Sequence, residues 1–360
     1  SVLLEFVRGE RPGREALVWA VCGAGKTEVC YRAMAEVIAA GGKVLFAVPR
    51  REVVIELIGR MRGAFEGIDI VALYGGAPIC DRIDAGAVPL VIATTHQCLR
   101  FYRAFELVVL DEMDAFPYKN NSSLRYGLER ARKPWGRLIS MSATPDELSL
   151  EKARRGELLL VSLTGRPHGR PLPVPELVVV PRLAEQLGRL MGSPAGSRSS
   201  PQREGREQRR HEPVRRGHLP GLEPVRDLLY HVLRNPSSRL FIFVPRVSTA
   251  EALARSLQGL YGPVVGWVHS RDPERDRKKS AFLRGSIRIL VTTTIMERGV
   301  TVPDAHVVVL QADDDSVFDE AALIQMAGRA GRSPLYPDGR VIFAVSRPTK
   351  RVRRAIERIK

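Results

Sequence analysis

The sequence predicts an α/β protein built as two tandem parallel-sheet lobes joined by a flexible linker. Two observations carry this expectation. Short apolar runs alternate with helix-length amphipathic stretches, and they do so in two separate sets. Between the sets lies a stretch dominated by Gly, Pro, Ser, Arg and Glu, with almost no large apolar residue to bury. The 360 residues suffice for two domains, each with its own core. In the first set, residues 16–22 (ALVWAVC), 44–48, 90–93 and 107–110 are expected as buried strands, with helices over 28–40 and 52–64. In the second, strands are expected over 240–244, 264–268, 287–291, 307–310 and 341–345, with connecting helices including 248–258 and 320–328. The expected division is a first lobe over 1–164, a linker or insertion over 165–222, a second lobe over 223–345 and a basic tail over 346–360.

Composition narrows the classes of function. A 44% hydrophobic fraction excludes wholesale disorder, and no apolar run approaches the roughly 18 residues of a membrane span. The four cysteines, Cys22, Cys30, Cys80 and Cys98, form no CxxC pair, so no zinc site is expected in these residues. The first residues contain no basic segment followed by an apolar core, and a cytoplasmic protein is expected. A net charge of +16 points to an acidic partner, nucleic acid before membrane. That charge is unevenly spread. Residues 1–164 carry 22 basic and 20 acidic side chains, whereas 346–360 carry seven and one.

Three motifs carry chemistry. At 20–27 (AVCGAGKT), a strand is expected to hand over to a helix. A phosphate-binding loop needs glycines so that backbone N–H groups can wrap the phosphates. It also needs a lysine for the β/γ oxygens and a hydroxyl for Mg²⁺. Gly23, Ala24, Gly25, Lys26, Thr27 and Glu28 supply this loop, with Ala20 where the strict pattern has glycine. At 107–114 (LVVLDEMD), Asp111 and Glu112 close a strand. One carboxylate can hold Mg²⁺ and the second can orient and deprotonate the attacking water. At 325–332 (QMAGRAGR), Arg329 and Arg332 offer guanidinium groups that can stabilise charge on a transferred phosphoryl group, with Gln325 opening the motif. Two glycines inside such a helix cost about 1 kcal/mol each, so close packing or backbone access is expected there.

In this order, and with Ser142-Ala143-Thr144 between them, these motifs resemble those of superfamily 2 helicases, which have two RecA-like lobes of the P-loop NTPase fold. The segments 93–101 (ATTHQCLRF), 111–118 (DEMDAFPY) and 294–301 (TIMERGVT) resemble, more narrowly, the late-competence ComFA family, related to the primosomal PriA helicases. The resemblance implies an ATP-dependent translocase or helicase on single-stranded DNA, with ATP and Mg²⁺ as cofactors. It also implies partners among competence-machinery proteins at the inner face of the membrane. By matched position, Lys26 and Thr27 meet phosphates and Mg²⁺, Asp111 holds Mg²⁺, and Glu112 activates water. Gln325, Arg329 and Arg332 meet the γ-phosphate across the cleft between lobes, Gly299 lies near the nucleotide, and Ser142 and Thr144 couple the lobes. Pro49, Arg50, Thr95 and His96 on the first lobe, with Pro245, Arg246, His269 and Thr293 on the second, face DNA. The family's four-cysteine zinc module has no counterpart in these residues, and Thr301 stands where relatives often place an Asp. A PriA-like restart or repair helicase shares every motif, and a nucleotide-gated scaffold without turnover stays open.

Overall fold

The computed structural model describes all residues except 1, 22, 78–86, 164, 167–168, 193–220 and 297–301. The chain divides into two units, residues 1–170 and 171–360.

The first unit begins with α1 (Val2–Arg8), which buries Leu3 and Phe6 against the helix that follows β1 (Glu15–Ala20). Then come α2 (Lys26–Ala39), β2 (Val44–Val48), α3 (Arg51–Ala64), β3 (Ile70–Leu73), β4 (Leu90–Thr94), β5 (Phe105–Leu110), α4 (Ser122–Ala131), β6 (Arg132–Ser142), α5 (Glu147–Arg154) and β7 (Leu159–Leu163). All seven strands pair in parallel in the order β3-β4-β2-β5-β6-β1-β7. Central strands β2 and β4 are buried on every residue, as continuous apolar runs require when helices cover both faces of a sheet. Parallel pairing sends every strand's carboxyl end to one edge, where α/β proteins bind their ligands.

The second unit repeats the plan. It comprises β8 (Glu176–Val179), α6 (Leu183–Gly192), α7 (Glu223–Arg234), β9 (Ser238–Phe243), α8 (Val247–Tyr261), β10 (Val265–Val268), α9 (Arg275–Arg284), β11 (Ile289–Thr292), β12 (Asp304–Leu310), α10 (Glu320–Ala327), β13 (Val341–Val345) and α11 (Lys350–Ile359). Its parallel sheet runs β10-β11-β9-β12-β13-β8. Its core gathers Leu228, Leu240, Ile242, Val291, Val308 and Ile342.

Two expected boundaries change. The expected linker 165–222 includes β8, which pairs with β13 from Ile342↔Glu176 to Val345↔Val179, and α6, which buries Leu183 and Leu187. The tail 346–360 is a packed helix, burying Val352, Ala355 and Ile359. In both places a few apolar residues at the right period suffice to dock a segment whose composition is otherwise polar. The Arg/Gly/Ser-rich middle, 193–220, lies outside the described residues.

Candidate functional site

Between the end of β1 and the start of α2 the backbone turns at Gly23 (φ 81°) and Gly25 (φ 73°), both in the left-handed region that glycine tolerates without penalty. Gly25 caps α2, so Lys26 and Thr27 open that helix, whose first-turn N–H groups form an anion site. Thr27 is buried and Lys26 half-buried. The Glu28 carboxylate, expected at the nucleotide, instead pairs with Arg60 on α3, because helical periodicity turns it outward.

Asp111 follows β5 and is only 7% exposed. Its N–H donates to the Ala47 carbonyl (2.9 Å), and its Oδ1 accepts from the Glu112 N–H (2.8 Å). Glu112 sits at φ 55°, a left-handed conformation that costs a non-glycine residue about 1 kcal/mol or more. Strain of this kind collects at functional positions, and here it falls on the candidate base. Burial, and then the nearby Asp111 carboxylate, push the Cys30 thiol of α2 well up, so the phosphate-loop helix and the acidic pair share one environment. The Thr27 hydroxyl and Asp111 carboxylate are hard oxygen donors of the kind Mg²⁺ takes. Among the described residues no group of three or more His, Cys, Asp or Glu gathers.

Strand β6 lies between β1 and β5 and ends at Ser142, bringing the Ser142-Ala143-Thr144 segment between the phosphate loop and the acidic motif. Asp114 accepts from the Ser142 hydroxyl (2.9 Å) and the Thr144 hydroxyl (3.0 Å), and the Thr144 N–H donates to the Ser142 Oγ (2.9 Å). The Trp19 indole of β1 donates to the Ala143 carbonyl (3.3 Å). Asp114 is thus the residue through which the acidic motif holds Ser142 and Thr144. Position alone could have suggested it, since it completes the DExD pattern.

A second residue escaped the sequence. Arg166 is 5% exposed, and its Nε lies 3.4 Å from where a β-carbon on Gly23 would stand. Its guanidinium packs on the phosphate loop from a position more than 140 residues away in the chain. No local pattern announces that contact.

In the second unit Gln325 (4% exposed) and Arg329 (3%) are buried at the end of α10, and the Arg332 Nε donates to the Gly328 carbonyl (2.7 Å). The two glycines do not lie inside a helix, because α10 stops at Ala327. Gly331 turns at φ 61°, and a β-carbon there would stand 2.3 Å from the Pro337 carbonyl oxygen. The expected close packing is therefore present, in a turn. Gly299 lies outside the described residues.

The residues expected to face DNA divide. Pro49 and Arg50 follow β2, and Pro245 and Arg246 follow β9; both strands are central, and each arginine caps the next helix in an extended conformation. His96 is exposed and Thr293 half-buried. Thr95 is fully buried, its N–H donating to the Val48 carbonyl (2.9 Å), so it supports the edge from beneath. His269 is 8% exposed: its Nδ1 accepts from the Arg271 N–H (3.2 Å), and its Nε2 faces Glu251 Oε1 at 3.0 Å. With both ring nitrogens engaged, His269 caps its own loop rather than reaching outward.

Two lobes of this topology, with the phosphate loop, acidic pair and Ser-Ala-Thr turn on one strand edge, define a superfamily 2 helicase. The DEAD/DEAH box helicase family matches residues 5–152, and the Helicase conserved C-terminal domain matches residues 222–334. The fold agrees with that of S. cerevisiae Dbp5 bound to RNA and ADP BeF3, at TM-score 0.66 and 16% identity, over 97% of this chain and 83% of that one. Within this class the chain is 38% identical over its whole length to Competence protein ComFA of Bacillus subtilis (strain 168), covering 69% of that protein. It is 35% identical over 99% of its length to Competence protein ComFA of Streptococcus pneumoniae (strain ATCC BAA-255 / R6), covering 74% of it. The chain belongs to the ComFA family. It is an ATP-hydrolysing DNA helicase or translocase of the competence type, using ATP and a divalent metal. Among the described residues no helix is long and apolar enough to cross a membrane.

Proposed function

We propose that this chain translocates along single-stranded DNA by hydrolysing ATP, and that this motion powers DNA import during competence for transformation. The observation that carries the reading is the gathering of Lys26, Thr27, Asp111, Glu112 and the Ser142–Thr144 turn on one strand edge of the first unit. In this reading Lys26 and the α2 amides hold the phosphates, and Thr27 and Asp111 would hold a Mg²⁺ that would screen phosphate charge. Glu112 takes a proton from the attacking water. Gln325, Arg329 and Arg332 stabilise charge that develops on the transferred group. Arg50, His96 and Arg246 meet the DNA backbone, so a loose sequence preference is expected. Phe116, 78% exposed on the loop after the acidic motif, offers a face on which a base can stack. Competence-machinery proteins at the inner face of the membrane are the partners this role requires.

ATP hydrolysis measured with and without oligo-dT tests the proposal. Stimulation by the single strand is expected, and Lys26→Ala or Glu112→Gln should abolish turnover. Parental turnover in Lys26→Ala removes the site assignment. Strand displacement on a forked duplex, together with normal DNA uptake in a deletion strain, would favour a restart or repair helicase.

A further inference from the structure

The C-terminal helix α11 uses its cations in two ways. Val352, Ala355 and Ile359 seat it on α10, and two ion pairs hold it: Arg351 with Asp315 in the loop before α10, and Arg358 with Glu320 on α10 at 3.0 Å. Glu320 lies in the first turn of α10, the helix that carries Gln325 and leads into Arg329 and Arg332. Lys350, Arg353, Arg354 and the preceding Arg347 are exposed, and none has an acidic partner within 4 Å among the described residues. Lys350 stands three and four positions from Arg353 and Arg354 on the helix, so like charges are neighbours on its surface, an arrangement that disfavours a helix left alone with water. Basic helix α9 is different. There Arg277 pairs with Glu274 at 2.9 Å and Lys278 with Asp272 at 2.8 Å.

We propose that the outward face of α11 binds the phosphate backbone of nucleic acid, as a site separate from the strand-edge loops, and passes that contact through α10 to Arg329 and Arg332. The proposal rests on the DNA-translocase reading above. Charge complementarity selects a polyanion as the occupant. A bilayer is the weaker match, because Val352, Ala355 and Ile359 of α11 point into the protein and only the half-buried Ile356 remains as a large apolar residue outside that seam. Backbone binding needs exposed cations that can neutralise phosphates, which this face supplies.

The test uses the full chain, a fluorescein-labelled oligo-dT, and anisotropy between 50 and 200 mM NaCl. The parent and Arg353→Ala/Arg354→Ala are compared with Arg154→Ala/Arg155→Ala, which removes the same charge from the exposed end of α5. Each lost phosphate contact lowers the salt slope by about 0.7 for a single strand, so the α11 variant should lose about 1.4 and bind roughly tenfold or more weakly at 100 mM salt. The DNA concentration for half-maximal ATPase stimulation should rise in step, while hydrolysis without DNA and the melting temperature stay at parental values. An α11 variant that matches the parent in slope and affinity overturns the proposal and leaves the translocase reading standing. Equal losses in the two variants overturn it as a net-charge effect. Weaker binding only to phosphatidylglycerol vesicles overturns it in favour of a bilayer. A parent that does not bind oligo-dT overturns both readings.

Discussion

At Arg332 the guanidinium is held by a hydrogen bond from its Nε to the Gly328 carbonyl, which leaves its terminal nitrogens to meet an anion. Arg332→Ala should therefore lower kcat by about 10³-fold or more, as for an arginine that acts on the transition state, while ATP affinity changes little. Phosphate release and fluorescent-nucleotide binding measured together separate the two; a pure binding defect would place Arg332 outside the transition state. Residues of this kind were legible because their chemistry restricts them. A phosphate loop tolerates few side chains at φ 81° and 73°, so Gly23 and Gly25 declare themselves. Thr95 and His269 did not, since polarity in a motif says nothing of burial. Arg166 reaches Gly23 only because β7 lies beside β1, which no local pattern encodes.

The elements follow the same division. Strands β2, β5, β9, β12 and β13 read clearly as apolar runs because helices cover both faces of each sheet. Edge strands β3, β7 and β8 carry apolar runs of only about four residues and are partly exposed, so their sequence does not set them apart from other short apolar stretches. Strand β6 escaped as well, because its first half is polar (RKPWGR) and only its end is buried. Yet β6 is the strand that joins the acidic motif to the Ser-Ala-Thr turn. Replacing Ser142 and Thr144 by Ala removes all three hydrogen bonds of that junction. The expected outcome is a several-fold fall in DNA stimulation and in translocation per ATP, with basal hydrolysis retained in larger measure. A triplex-displacement assay run beside an ATPase assay reads both, and a proportional fall in the two would deny a coupling role.

For the whole molecule, each unit has its own sheet and its own buried clusters, so calorimetry should resolve two unfolding transitions. A non-hydrolysable ATP analogue at a hundred times its Kd should stabilise the transition of the phosphate-loop unit by about 2.7 kcal/mol, and Lys26→Ala should erase the shift. One transition moving as a whole would mean that the units unfold together. The sequence by itself determined two α/β lobes, the nucleotide chemistry and a surplus of positive charge, because apolar periodicity and phosphate-loop sterics are local properties of the chain. Only the tertiary structure decided which polar residues are buried supports and which segments dock. The basic tail that composition left outside both lobes is a helix packed on the arginine motif, since strand order and helix packing join residues that the chain keeps far apart.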